Sequence, residues 1–117
     1  MPRHTPGISC EGWWDQLGMG RQPMTGLYLE FSSGFISGSG ADIVGPFFFS
    51  GTIDAQGQVT MTKDYVGLHS VDYLGAYDGE GLMWGDWHID GLKDRWLIKL
   101  KHSKSAGSQR AEVAVLE

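Results

Sequence analysis

Apolar and polar residues alternate along most of the chain, which is the pattern of β-strands that bury one face. Segments with this alternation are separated by short stretches that contain glycine, and glycine favours tight turns. The pattern predicts eight strands and no helix, at about residues 12–18, 24–31, 35–41, 47–54, 58–65, 69–78, 82–89 and 95–102.

The turn signals fall into two sets that alternate along the chain. One set comprises residues 32–34, 55–57 and 79–81, and the other comprises residues 20–23, 43–46, 66–68 and 91–94. Alternate turns of an antiparallel meander lie at opposite ends, so each set marks one end. Eight such strands can close on themselves, which removes both exposed edges. We therefore predict an all-β fold, an eight-stranded antiparallel up-and-down β-barrel.

The register of the strands can be predicted from the turns. Three-residue loops at 55–57, 66–68 and 79–81 continue one apolar face from strand to strand, whereas a shift of one residue would invert a strand. The predicted inner face comprises Phe47, Phe49, Ile53, Val59, Met61, Lys63, Tyr65, His69, Val71, Tyr73, Met83, Trp87 and Ile89. The loop at 32–34 leaves two registers open. A three-residue loop turns Ser37 and Ser39 inward, and a two-residue loop turns Gly38 and Gly40 inward.

Four polar side chains interrupt this inner face at the end marked by the second set of turns. They are those of Lys63, Tyr65, His69 and Tyr73. Lys63 needs a partner there, because an unpaired buried charge is costly, and Asp42 and Arg95 lie at the same end. Aromatic walls with a few polar groups are typical of small-molecule sites. The predicted ligand-binding residues are Phe47, Phe49, Lys63, Tyr65, His69, Tyr73 and Trp87.

These residues predict a barrel that binds a hydrophobic or anionic small molecule at one mouth of the lumen. In this hypothesis Lys63 and His69 hold an anionic or carbonyl group, tyrosine hydroxyls donate hydrogen bonds, and the other rings form the wall. The alternative hypothesis is a structural or protein-interaction barrel with a packed lumen. Such a barrel could form a homodimer through Phe48 and Trp84, or through the Trp13-Trp14 stretch.

Length, charge and cysteine content limit the number of domains, the class of partner and the cellular location that we expect. The 117 residues suit one domain, with an N-terminal arm at 1–11, the barrel at 12–102 and a C-terminal tail at 103–117. The net charge of −5 argues against nucleic-acid binding, and no apolar run is long enough to span a membrane, so we expect neither partner. Cys10 is the single cysteine and the first residues lack the apolar run of a signal peptide, so we expect a cytoplasmic protein.

The sequence offers little support for catalysis or for a cofactor. The four histidines lack the spacing of metal ligands, and Cys10 has no cysteine partner, so we expect no metal site and no cofactor. Lys63, Tyr65 and His69 include groups that can act as acids or bases, but no nucleophile stands beside a base. The enzyme question therefore stays open, and we assign no catalytic residue.

Several short motifs resemble a small uncharacterised β-barrel family. They read G-x-G-x-D at 38–42, G-x-F at 45–47, K-x-Y at 63–65, H-x-V-x-Y-x-G at 69–75 and G-x-W at 85–87. The resemblance covers about residues 24 to 100, and its shape is similar to the calycin group of lipocalin-like and avidin-like barrels. Barrels of that group hold small ligands in the lumen. The resemblance implies the barrel fold more than a function, and it implies no particular activity.

Overall fold

The computed structural model describes residues 5–101, and the predicted tail at 103–117 lies outside this range. The chain forms a closed barrel of eight antiparallel strands in up-and-down order, as the sequence predicts. The described residues contain no helix long and apolar enough to cross a membrane. The strands are β1 (Thr5–Gln16), β2 (Gly20–Ser32), β3 (Phe35–Ala41), β4 (Pro46–Ile53), β5 (Gln58–Tyr65), β6 (Ser70–Tyr77), β7 (Leu82–Ile89) and β8 (Leu92–Leu100).

The pairing of β1 with β8 closes the barrel. Cys10 lies opposite Leu100, and Trp14 lies opposite Trp96. β1 begins at Thr5, so residues 5–11 belong to the barrel wall and the prediction of an arm there is wrong. The register of β1 against β2 shifts between Thr5 and Ile8 and again between Ser9 and Gly12. These irregularities interrupt the alternation, which explains why the pattern did not reveal the first half of β1.

The predicted register from β4 to β7 is confirmed. Phe49 pairs with Lys63, and Lys63 pairs in turn with Val71. Tyr73 pairs with Trp87 on the next strand. The alternating pattern therefore correctly identified which side chains face the lumen in the middle of the chain.

Two of the hairpin turns contain only two residues each. Ser33-Gly34 and Asp90-Gly91 are two-residue turns with positive φ at both positions, 51° and 84° in the first turn and 47° and 81° in the second. This geometry matches the twist of antiparallel strands. The first turn resolves the open register, because Gly38 pairs with the inward-facing Phe49. The second turn starts β8 at residue 92, so the predicted start at 95 is wrong.

The turn between β1 and β2 also differs from the prediction. β1 and β2 are joined by residues 17–19, and the stretch 20–23 already belongs to β2. Arg21 and Pro23 pair with Asp15 and Trp13 of β1. Proline is tolerated in a strand where its missing N–H is not needed, so its presence was a misleading turn signal.

Large side chains fill the barrel interior. The buried apolar set comprises Ile8, Cys10, Trp14, Met24, Leu27, Leu29, Phe31, Ile36, Phe47, Phe49, Ile53, Val59, Met61, Tyr65, Val71, Tyr73, Tyr77, Met83, Trp87, Trp96, Ile98 and Leu100. Among the described residues, Lys63 is the one charged residue that is buried as a whole, backbone included, at 1% exposure. The fold therefore places a single ammonium group inside an aromatic core.

Candidate functional site

The mouth is the end of the barrel where the turns 17–19, 42–45, 66–69 and 90–91 meet. The turn after β3 positions Asp42, because its Oδ1 accepts a hydrogen bond from the Val44 N–H at 2.9 Å. The Asp42 N–H also donates to the Gly45 carbonyl at 3.1 Å. These bonds fix the carboxylate so that its second oxygen, Oδ2, points into the barrel.

Asp42 Oδ2 accepts three hydrogen bonds inside the mouth. Lys63 Nζ lies 2.5 Å away, Tyr65 Oη 2.7 Å and Trp14 Nε1 3.1 Å. The ion-paired side chains are 1% exposed for Lys63 and 0% exposed for Asp42. The sequence-based expectation that Asp42 pairs with a member of the polar cluster is therefore met by Lys63 and Tyr65.

The remaining contacts of the Lys63 ammonium complete its environment. It donates to Tyr73 Oη at 3.1 Å and lies 3.6 Å from Met24 Sδ. Its nitrogen also lies 4.3 Å from the centre of the Phe47 ring and 4.9 Å from that of Tyr65. Such ring faces attract cations, and the attraction is stronger where water is excluded. The lysine is thus held by one carboxylate, one hydroxyl and several ring faces.

The pKa values of this cluster follow from burial and pairing. Burial lowers the pKa of Lys63 to about 8, although Asp42 opposes that shift. Burial alone would raise the pKa of Asp42, but hydrogen bonds from Lys63 and Tyr65 hold it below its usual value. Burial, together with the neighbouring Asp42, raises the pKa of Tyr65 and of Tyr73. At neutral pH the cluster therefore contains a carboxylate, an ammonium group and two neutral phenols.

The predicted aromatic wall is present, but its rings pack on one another. Phe47 contacts Phe49 edge to face, with ring centres 5.3 Å apart. Phe49 lies 5.1 Å from Tyr73 in the same manner, and Phe47 lies 5.9 Å from Tyr65. Phe47, Phe49 and Tyr73 are each about 1% exposed. These residues fill the lumen below the mouth by packing on one another.

A small cavity of about 70 Å³ lies at the mouth itself. Its lining includes four of the seven predicted ligand-binding residues, Tyr65, His69, Tyr73 and Trp87. The lining comprises Trp14, Gln16, Val44, Tyr65, His69, Val71, Tyr73, Trp87 and Ile89. The indole of Trp87 is fixed by its Nε1–H, which donates to the Asp15 carbonyl at 2.9 Å. The cavity is thus a shallow, mostly apolar depression that opens at the turns.

His69 and Arg95 take other places than the expected cluster. His69 is an exposed turn residue that borders the cavity, with its ring 5.1 Å from the Tyr65 ring. Arg95 lies on the outer surface, where its Nε is 3.9 Å from Asp86 Oδ1. Arg95 therefore pairs with Asp86 and not with the polar cluster. Lys63, which was predicted to hold a ligand group together with His69, bonds to Asp42 and Tyr73 instead.

Sequence reasoning missed two residues of the cluster. Trp14 donates to Asp42 and lines the cavity, and Met24 contacts the lysine. From the sequence, the Trp13-Trp14 stretch is predicted only as a possible dimer surface, with no choice of which ring faces inward. Alternation was the available signal, because adjacent strand residues face opposite sides and only one of the two tryptophans can be outside.

The exposed side chains at the mouth are mostly apolar. All four turns, or the strand residue that follows directly, carry such side chains, and we call them the apolar rim. The rim consists of Leu17 (95% exposed), Met19 (45%), Ile43 (66%), Val44 (40%), Val66 (54%), Leu68 (62%) and Leu92 (55%). The described turns at the opposite end consist of small and polar residues, at 33–34, 54–57 and 78–81, and the exposed large apolar residue that directly follows one of them is Phe35 (65%). The two ends of the barrel therefore differ sharply in polarity.

A second concave region lies on the outer wall, over β1, β7 and β8. Trp13 and Trp84 lie on either side of Leu97 in one cross-strand row. The groove has a volume of about 520 Å³ and is lined by Trp13, Asp15, Arg21, Asp78, Leu82, Trp84, Arg95, Trp96 and Leu97. Phe48 lies on β4 beside Asp64 of β5, so the expected common patch of Phe48 and Trp84 does not form.

Comparison of the chain with protein-family models, with curated proteins and with solved structures finds no significant match. The resemblance to a calycin-like family therefore stays a prediction.

Proposed function

We propose that this barrel binds a hydrophobic small molecule at its mouth, with one end of the ligand in the small cavity. The observation that carries the proposal is the cavity between Trp14, Trp87 and Val71, whose lining includes Val44 of the apolar rim. Concave apolar surfaces with a few polar groups are the usual form of a small-molecule site. The packed interior below acts as a rigid floor that positions this site.

The size of the cavity limits what can enter it. Sites for whole drug-sized ligands occupy roughly 300–1,000 Å³, and a cavity of roughly 150 Å³ accepts benzene. The mouth cavity measures about 70 Å³. It therefore suits the end of an alkyl chain or a branched aliphatic group, while the rest of the ligand lies across the rim.

The contacts of Lys63 favour a hydrophobic ligand over an anionic one. Its ammonium already pairs with Asp42 and Tyr73, and it is 1% exposed. An incoming anion would have to displace the Asp42 carboxylate, which three hydrogen bonds hold in place. His69 is exposed beside the cavity and could contact a polar head group. Lys63, which was expected to bind the same group, is instead bonded to Asp42 and Tyr73.

A cavity-filling variant tests this proposal with decanol as the probe. Val71→Phe should place ring atoms in the cavity and reduce the affinity for decanol about tenfold, because about two buried methylene groups are displaced. Trp84→Ala, on the outer wall, should leave the affinity unchanged. Calorimetric titration of both variants and the wild type supplies the comparison. Equal decanol affinity in wild type and Val71→Phe would overturn the proposed site.

A second candidate function is a protein-interaction barrel that dimerises through the outer groove. Three tryptophans and two arginines line this groove, and these residue types dominate the energetics of protein interfaces. In this case sedimentation should show a dimer that Trp84→Ser converts to a monomer. A wild-type protein that stays monomeric at high concentration would remove the candidate.

A further inference from the structure

The apolar rim has the composition of a surface that enters lipid. Its members are aliphatic residues, Leu17, Met19, Ile43, Val44, Val66, Leu68 and Leu92. Protein interfaces depend mainly on tryptophan, tyrosine and arginine, and leucine and valine are under-represented among their dominant residues. Aliphatic side chains are favourable in the hydrocarbon region of a bilayer. The rim residues therefore fit a membrane surface better than a protein partner.

The number and placement of these residues support the same conclusion. A standard protein interface uses roughly 20–30 residues on each side, and the rim offers seven exposed side chains on four separate turn tips. Shallow insertion into a bilayer needs only such projecting tips, because each side chain is surrounded by lipid independently. Leu17, at 95% exposure, has almost no protein contact to lose on insertion.

Charge indicates which kind of lipid surface is suitable. The turns 17–19, 42–45, 66–69 and 90–91 contain no lysine or arginine, and their acidic residues are Asp42 and Asp90. Asp42 is already paired with Lys63. Anionic membranes attract basic clusters near the surface, and this end has none within its turns. A zwitterionic surface is the better match for a chain of net charge −5.

We infer that the apolar rim docks the barrel on a zwitterionic lipid surface, with the mouth facing the bilayer. The inference goes beyond the proposed function, because it concerns the rim and not the cavity. A cavity that binds no decanol would leave it standing. If both are correct, a ligand can pass between the bilayer and the mouth without crossing water.

Flotation with phosphatidylcholine vesicles tests the inference directly. The wild type should float with the vesicles, and high salt should not release it. The rim variant Leu17→Ser/Ile43→Ser/Leu68→Ser should bind about tenfold more weakly or worse, since binding scales with buried apolar area. The matched control Phe35→Ser/Phe48→Ser/Leu74→Ser removes as many exposed apolar side chains from other surfaces and should bind like the wild type.

Three results of the flotation experiment would overturn the inference. They are a wild type that does not float, equal loss in both triple variants, and binding that requires phosphatidylserine or disappears at high salt. Self-association through the rim in the absence of lipid, abolished by the rim variant, would also overturn it in favour of a second copy. If the rim variant does not fold, nitroxide-labelled phosphatidylcholine should still broaden wild-type amide signals of residues 17–19 and 66–68, and spare those of residues 54–57.

Discussion

At the scale of single residues, the Lys63–Asp42 pair explains why a strand with an apolar inner face carries a lysine. The Lys63 nitrogen lies 2.5 Å from the Asp42 carboxylate oxygen. Tyr65 and Trp14 also donate hydrogen bonds to that carboxylate, and Tyr73 accepts one from Lys63. A buried pair gains little net stability over an apolar replacement, but breaking it is costly because one charge is left alone. The pair therefore specifies one arrangement of the mouth more than it stabilises the barrel.

Removing one partner should show this cost. Lys63→Met leaves the Asp42 carboxylate without its cation and should lower the free energy of unfolding by about 3–5 kcal/mol. The double variant Asp42→Asn/Lys63→Met should lose clearly less than the sum of the two single variants. Urea denaturation measures all of these values, with the exposed Lys99→Met as the control. Simple additivity of the two single variants would contradict the role of the pair.

The pKa of Lys63 predicts a pH dependence of stability. Its pKa is about 8 in the folded protein, against an ordinary value of 10.5. Between these values the unfolded chain binds more protons, so the free energy of unfolding should rise with pH, by up to about 3 kcal/mol. Below pH 8 this residue should add no pH dependence. Lys63→Met should lack the rise in urea titrations, and an identical rise in that variant would assign it to other groups.

At the scale of strands and turns, alternation predicted the register from β4 to β7 because polar and apolar residues strictly alternate there. It failed at β1, where two register shifts interrupt the pattern, and at β2, where Pro23 lies within a strand. The hydrogen-bond network around Lys63 and Asp42 was partly predictable. Lys63 on an inner face requires a partner, and Asp42 lies at the same end. The filled lumen was not predictable, because side-chain packing depends on contacts between strands that are distant in sequence.

The Gly75–Gly85 pair of β6 and β7 shows how backbone contact limits these strands. The two glycines lie directly opposite each other, and a Cβ on either one would collide with a carbonyl oxygen of the other strand. The Trp96 indole donates to two carbonyls beside this pair, those of Leu74 at 3.3 Å and Asp86 at 3.1 Å. Close approach of the two strands thus accompanies the seating of a core tryptophan.

Gly85→Ala should therefore destabilise the barrel. The added methyl group forces the strands apart, and overpacking of this kind costs about 1–3 kcal/mol. Ala76→Ser, at a neighbouring position of β6, should change the free energy of unfolding by less than about 0.5 kcal/mol. Thermal and urea unfolding of both variants measure the difference. A Gly85→Ala protein with wild-type stability would show that the strands separate without cost.

At the scale of the whole molecule, the barrel has two unlike ends and one unusual groove. The ion-paired cluster, the small cavity and the apolar rim all lie at the mouth, whereas the described turns of the opposite end are small and polar. The apolar rim was not predicted from the sequence, because each turn contributes only one or two apolar residues and no continuous run exists. Closure of the barrel brings these separate residues to one end.

One measurement tests the central claim that the mouth is the binding end. The chain has five tryptophans, and their indole N–H signals can be observed separately in a two-dimensional nitrogen–proton NMR spectrum. Trp14 and Trp87 line the mouth cavity, and Trp13 and Trp84 line the outer groove. Titration with decanol should shift the signals of Trp14 and Trp87 and leave those of Trp13 and Trp84 in place. Shifts confined to Trp13 and Trp84, or no shift at all, would contradict the account.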